Sequence, residues 1–161
     1  MIVLGIDPGL ATLGWGVIET DGMKAVDYGV IKTDKGKETI ERLAEIDVDI
    51  RELIKQYNPA KIGMEKLYFF KNISSVIGVA QSQGVVMVAS KGIPFYEYTP
   101  THIKNALTGY GRAQKRQIQE MVKLELALGK IPRPVDAADA LAVAICVSRE
   151  GTHGFSIGAV I

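Results

Sequence analysis

Cysteine is almost missing from this chain. Cys146 is the single thiol in 161 residues, so no disulfide can form within the chain and its own core must hold the fold. That usage suits a reducing compartment, and a cytoplasmic protein is expected. Long apolar runs are missing too. The N-terminal run stops at Asp7, too early for a signal peptide or a membrane anchor. Histidine is scarce, and neither His102 nor His153 has a partner at metal-ligand spacing, so both are expected on the surface. The sequence holds no internal repeat, low-complexity tract or linker. One domain over residues 1–150 with a short tail at 151–161 is expected.

Net charge is only +1, which by itself points to no polyanionic partner. The distribution says more. Between positions 101 and 130 there are six basic residues against two acidic, whereas between 34 and 52 there are seven acidic against four basic. One region can therefore attract a polyanion while another stays acidic.

Three short β-rich runs come first, at 2–6, 13–19 and 28–33, separated by Pro8-Gly9 and Asp21-Gly22. Such short connections predict an antiparallel meander. The period then changes: Leu43, Ile46, Ile50, Leu53, Ile54 and Tyr57 mark one face of a helix, which Asn58-Pro59 stops. A strand at 61–65, an apolar helix at 72–90 and a strand at 95–98 follow. Further helices are predicted at 101–107, 113–128 and 136–149. Strands separated by helices should be parallel, with right-handed crossovers. The expected fold class is therefore α/β, a mixed five-stranded sheet with helices on both faces. Cys146 reads as a buried structural thiol and Trp15 as core.

Four carboxylates fall at telling places. Asp7 follows the first strand and Glu65 closes the fourth; if these strands are parallel neighbours, both groups emerge at the carboxyl edge of the sheet. Asp136 and Asp139 are three apart at the start of the last helix and share a face. Oxygen ligands suit a hard cation such as Mg²⁺. A pair of such ions roughly 3.5–4 Å apart can clamp the attacking and leaving oxygens of a phosphodiester. Plainer readings exist for each residue alone. Asp7 fits a turn, Glu65 a surface ion pair, Asp136 a helix N-cap and Asp139 a first-turn residue. Capping, however, explains nothing about Asp7 and Glu65. Arg112, Lys115 and Arg116 lie at three- and four-residue spacing around a helix start, a pattern suited to a phosphate backbone, whereas Lys123 and Lys130 read as a solvated face.

Gly5-Ile6-Asp7-Pro8-Gly9 followed by Gly14-Trp15-Gly16 resembles the opening of the RuvC family, the bacterial Holliday-junction resolvases. Glu65 with Tyr68 and Lys71-Asn72 resembles the second motif of that family, and the run from Asp136 to Ala142 its third. The resemblance implies a ribonuclease H-like fold and a homodimer that places two symmetric nicks in a four-way junction, leaving 5′-phosphate and 3′-hydroxyl ends. It implies two Mg²⁺ ions per site, with Mn²⁺ as substitute, held by Asp7, Glu65, Asp136 and Asp139. It further implies phosphate contacts from Lys104 and Lys115, and work beside the RuvA–RuvB branch-migration complex. The apolar helix at 72–90 would supply much of the dimer interface. An aromatic ring that stacks on an unpaired base is expected at Tyr68, where the family usually has Phe, with Phe69 and Phe70 beside it. Many members carry His where Asp136 stands. The tail carries little charge, so no basic C-terminal contribution to DNA binding is expected.

Three rivals compete. An actin- or sugar-kinase-like ATPase shares an Asp-and-glycine strand–turn–strand, but needs two similar domains and a second glycine-rich phosphate motif. A YqgF-like nuclease of the same fold, acting on ribosomal RNA precursors, shares the opening motif. A silent junction-binding scaffold has no use for clustered acids that repel phosphate.

Overall fold

The computed structural model describes residues 1–67 and 73–149. In chain order the elements are β1 (Ile2–Asp7), β2 (Thr12–Glu19), β3 (Lys24–Lys32), α1 (Thr39–Tyr57), β4 (Lys61–Glu65), α2 (Ile73–Ala89), β5 (Phe95–Tyr98), α3 (Pro100–Thr108), α4 (Lys115–Glu125) and α5 (Val135–Arg149). The strands form one sheet in the order β3-β2-β1-β4-β5. β1, β2 and β3 pair antiparallel, while β1–β4 and β4–β5 pair parallel. Short loops permit only reversal, whereas α1 and α2 carry the chain back to start each parallel strand.

Local chemistry sets the boundaries, and three differ from expectation. The helix expected over 113–128 is shorter. Gln117 accepts the backbone N–H of Gln114 through its side chain at 2.7 Å, which makes Gln114 the cap and leaves Ala113 outside. At the far end Ala127 adopts φ 49°, a left-handed conformation that stops the helix after Glu125. β3 starts at Lys24 rather than Tyr28, because the mostly exposed residues 24–27 pair with β2 through backbone alone, past a bulge at Val17/Ile18. An edge strand facing water shows no apolar alternation to read. Finally, α5 begins at Val135, because the carbonyl of Pro134 already accepts from Ala138 N–H at 3.3 Å. α1 ends as read: Asn58 is left-handed at φ 45° and donates its N–H to Ile54.

The apolar residues of the sheet divide between two layers. Leu4 and Ile6 join Leu13, Ile46, Ile50 and Val86 beneath α1 and α2. Val3 and Ile18 join Ile103, Ile118, Val122 and Leu141 beneath α3, α4 and α5. Cys146 is buried in the second layer. Trp15 packs at the edge of the first, 6.2 Å from the Tyr57 ring. No helix among the described residues is long and apolar enough to cross a membrane.

One feature of the sheet decides where α5 lies. Gly16, Gly5 and Gly63 are register partners across β2, β1 and β4. A Cβ on Gly5 would sit 2.1 Å from the carbonyl oxygen of Ala140. The helix answers with Ala137, Ala138, Ala140, Ala142 and Ala144, all buried. Hydrogen on one side and methyl on the other let the helix backbone rest directly on the strands. The Gly14-Trp15-Gly16 run is therefore a bed for a helix.

Candidate active site

Asp7 ends β1 and Glu65 ends β4, its parallel neighbour, so both side chains reach the carboxyl edge. The glycine bed brings the third acid to the same place. Gly14 is the register partner of Asp7, and a Cβ there would lie 2.1 Å from the carbonyl oxygen of Asp136. The start of α5 thus lies over the end of β1. Asp136 is in the first turn of α5 rather than at its N-cap, because the helix starts one residue earlier. Asp139 lies past that turn, and its Oδ2 accepts from Lys115 Nζ at 2.6 Å. A helix-dipole role explains neither partner of that ion pair.

The four acids act on one another. The Asp7 carboxyl is pushed up to about 8 by burial, and then by the charges of Glu65, Asp139 and Asp136, against the opposing pull of Lys115. Burial also raises Glu65, and Asp139 adds to it, while Lys115 and Lys104 work the other way. Burial outweighs the Lys115 hydrogen bond at Asp139, whose carboxyl is likewise held above its ordinary range. Burial disfavours the Lys115 ammonium, but its hydrogen bond to Asp139 and the nearby charges of Asp139, Asp7 and Asp136 outweigh that and raise it. Among the described residues, no three acid, histidine or cysteine side chains are yet drawn together tightly enough to grip a cation. Lys115 supplies the nearest positive charge instead.

Two clefts meet at Glu65 and Pro100. One, of about 240 Å³, is lined by Lys104, Lys115 and Asp139; the other, of about 200 Å³, by Asp7, Pro8 and Lys66. The basic residues expected to meet DNA therefore divide. Lys104 and Lys115 stand among the acids, whereas Arg112 and Arg116 line a separate groove of about 900 Å³ with Tyr110 and Gln117. His102 is exposed, its ring 5.1 Å from that of Tyr98. Tyr68, Phe69, Phe70, His153 and the tail at 151–161 lie outside the described residues.

Some polar residues that hold this edge carried no chemical signal in the sequence. Gln83 Nε2 donates to the Glu65 carbonyl at 2.9 Å, and Ser82 Oγ to the Gly9 carbonyl at 3.3 Å. Thr33 Oγ1 donates to the Leu10 carbonyl at 2.6 Å and accepts from Arg42 Nε at 2.9 Å. The only sequence hint was polarity at buried positions of otherwise apolar segments.

The profile of the family described as crossover junction endodeoxyribonuclease RuvC matches residues 3–147. A crossover junction endodeoxyribonuclease RuvC from Petrotoga mobilis is 51% identical over 150 residues, spanning 91% of this chain and 92% of its own. The solved Thermus thermophilus RuvC superposes with a TM-score of 0.84 at 34% identity, covering 90% of this chain and 92% of that one. A second T. thermophilus RuvC structure, in complex with Holliday junction substrate, superposes at 0.83 with 33% identity, covering 90% of each chain. The sheet with helices on both faces is accordingly the ribonuclease H-like arrangement. Neither the ATPase nor the ribosomal RNA reading finds support in these likenesses. With the match running from β1 into α5, through all four edge carboxylates, this chain belongs to the RuvC family of crossover junction endodeoxyribonucleases.

Proposed function

We propose that this chain resolves Holliday junctions, hydrolysing one phosphodiester in each of two symmetric strands with divalent cations held by Asp7, Glu65, Asp136 and Asp139. One observation carries the reading: a carboxyl displaced to about 8 by burial and then by three neighbouring acids at one sheet edge, on a chain 33% identical to a protein solved with Holliday junction substrate. The donor set fits the cation. All four side chains offer oxygen, which a hard ion such as Mg²⁺ or Mn²⁺ prefers. A bound pair of ions would supply charge neutralisation and an activated water. Lys104 and Lys115, in the cleft with Glu65 and Asp139, would hold the strand by its phosphates. Asp139 would hold a cation through a carboxylate oxygen beside Lys115, and the ammonium would face phosphate from the same cleft. Arg112 and Arg116 extend the positive surface along the neighbouring groove. Tyr68 or Phe69 would stack on an unpaired base near the crossover. The proposal includes a single nuclease domain over 1–150, a homodimer, cooperation with RuvA–RuvB and a cytoplasmic site of action.

Incubation with a synthetic four-way junction and Mg²⁺ should give paired nicks at symmetric positions, with 5′-phosphate and 3′-hydroxyl ends that a ligase reseals. Equal cutting of linear duplex and junction would remove the resolvase reading and leave only a nuclease.

The pH dependence of cation binding follows from Asp7. Its carboxyl holds a proton up to about pH 8, and a cation must displace that proton. Apparent affinity should rise about tenfold per pH unit between pH 6 and 8 and then level off. Isothermal titration with Mn²⁺ across that range reads this directly; a flat profile would mean that cation binding displaces no proton from Asp7.

A further inference from the structure

Two consecutive residues of α2 reach both carboxylate-bearing segments. Gln83 donates to the carbonyl of Glu65 itself, and Ser82 to the carbonyl of Gly9, two residues beyond Asp7. Both side chains are withdrawn from water, Ser82 at 0% exposure and Gln83 at 9%. Buried polar groups on an otherwise apolar helix carry a desolvation cost that these bonds must offset, so their placement calls for a reason. Packing alone supplies none, because methyl or methylene groups would fill the same space.

The geometry points to a positioning role: we infer that Gln83, assisted by Ser82, fixes the separation of the β1 and β4 ends, and so the spacing at which Asp7 and Glu65 share a cation. This rests on the metal reading above. The reason for such a strut lies in the electrostatics. Asp7 and Glu65 repel each other when both are charged, and the pairing of β1 with β4 stops at Ile6 and Met64, so no ladder bond to β1 holds Glu65 against that force. Lys66 N–H donates to the Tyr98 carbonyl at 2.7 Å, which ties the strand end towards β5 and away from β1. Gln83 is the tie on the other side. The strut also joins the spacing of the acids to the position of α2. A shift of α2 along its axis would move both anchor points together, since adjacent residues carry them.

Residues that orient ligands without touching the metal typically contribute 10–100-fold to its affinity or to activity. The test compares Gln83→Met and Gln83→Leu, which keep a side chain of similar bulk and lose the donor, with Ser90→Ala as control. Ser90, just past the end of α2, is buried too, but its hydroxyl bonds back to the Val86 carbonyl and reaches neither acid-bearing segment. Mn²⁺ affinity by calorimetry, junction affinity by gel shift without metal, kcat and KM, and urea stability are measured on each full-length variant. Both Gln83 variants should bind Mn²⁺ about 10- to 100-fold more weakly. Their kcat should fall in step, while KM and metal-free junction affinity hold within about twofold. Ser90→Ala should lose stability yet keep Mn²⁺ affinity and kcat. If the Gln83 variants keep Mn²⁺ affinity and kcat, or if Ser90→Ala loses them equally, the positioning role is overturned. Should the Gln83 variants fail to fold, Ser82→Ala decides, with about a tenfold loss of Mn²⁺ affinity expected, the lower end of that range, and no change refuting the role. A wild type that binds no Mn²⁺ would instead bring down the metal reading itself.

Discussion

Asp7→Asn should melt about 10 °C higher than the wild type at pH 8 and lose cleavage. Folding raises the Asp7 carboxyl from its ordinary 3.8 to about 8, so the folded state holds the proton more tightly than the unfolded state does. The sign follows: the Asp7 contribution to stability is fully present below about pH 4 and is lost as pH rises towards 8. Four pH units of displacement correspond to an effect of about 5 kcal/mol at pH 8. Asparagine has no proton to lose, so the variant escapes this cost. Its advantage over wild type should be near zero at pH 4, grow through pH 6 and level off above pH 8. In the same variant a ligand oxygen becomes a weak amide donor, and cleavage should fall at least about a thousandfold, with junction binding kept. Urea unfolding at pH 4, 6 and 8 beside single-turnover cleavage reads both halves. A variant no more stable than wild type at pH 8 would contradict the crowding of charge around Asp7.

Gly5→Val should be the most damaging substitution outside the acids. Its Cβ meets the Ala140 carbonyl at 2.1 Å and the Ala144 nitrogen at 2.5 Å. Both are backbone atoms, so relief requires α5 to lift as a unit. Overpacking of this kind costs about 3 kcal/mol or more. The functional loss should exceed the loss of stability, because a displacement of about 1 Å at the reacting groups can cost 10²-fold in rate, and α5 carries Asp136 and Asp139. Gly129→Ala is the comparison, since an added methyl there meets nothing within 4 Å; its effect should stay within about 0.5 kcal/mol. Equal stability and cleavage for Gly5→Val and Gly129→Ala would show that α5 does not depend on the glycine bed.

The acids and the glycine bed were not equally legible along the chain. The strand and helix order, and the arrival of Asp7 and Glu65 at one edge, followed from periodicity and from the rule that strands joined through helices run parallel. The glycines of β1 and β2 were visible as a motif, yet their purpose was not, because a close approach exists only once the facing helix is in place. α5 starts one residue before the expected position for a local reason. Asp136 has the chemistry of a cap, and only the bond from Ala138 N–H to Pro134 shows that the helix has already begun. The contact of Lys115 with Asp139 depends on how α4 packs on α5, which periodicity cannot supply. Gln83 and Ser82 were hidden for the same cause: their partners lie 18 and 73 residues away.

The most direct measurement uses a junction with one non-bridging oxygen of the scissile phosphate replaced by sulfur. Sulfur binds Mg²⁺ poorly and accepts softer Mn²⁺ more readily. Cations held at the edge by Asp7, Glu65, Asp136 and Asp139, and in contact with that phosphate, predict slow cutting of one diastereomer in Mg²⁺ and recovery in Mn²⁺. Cleavage that proceeds at the same rate in the presence of a chelator, with no metal-specific recovery, would contradict it.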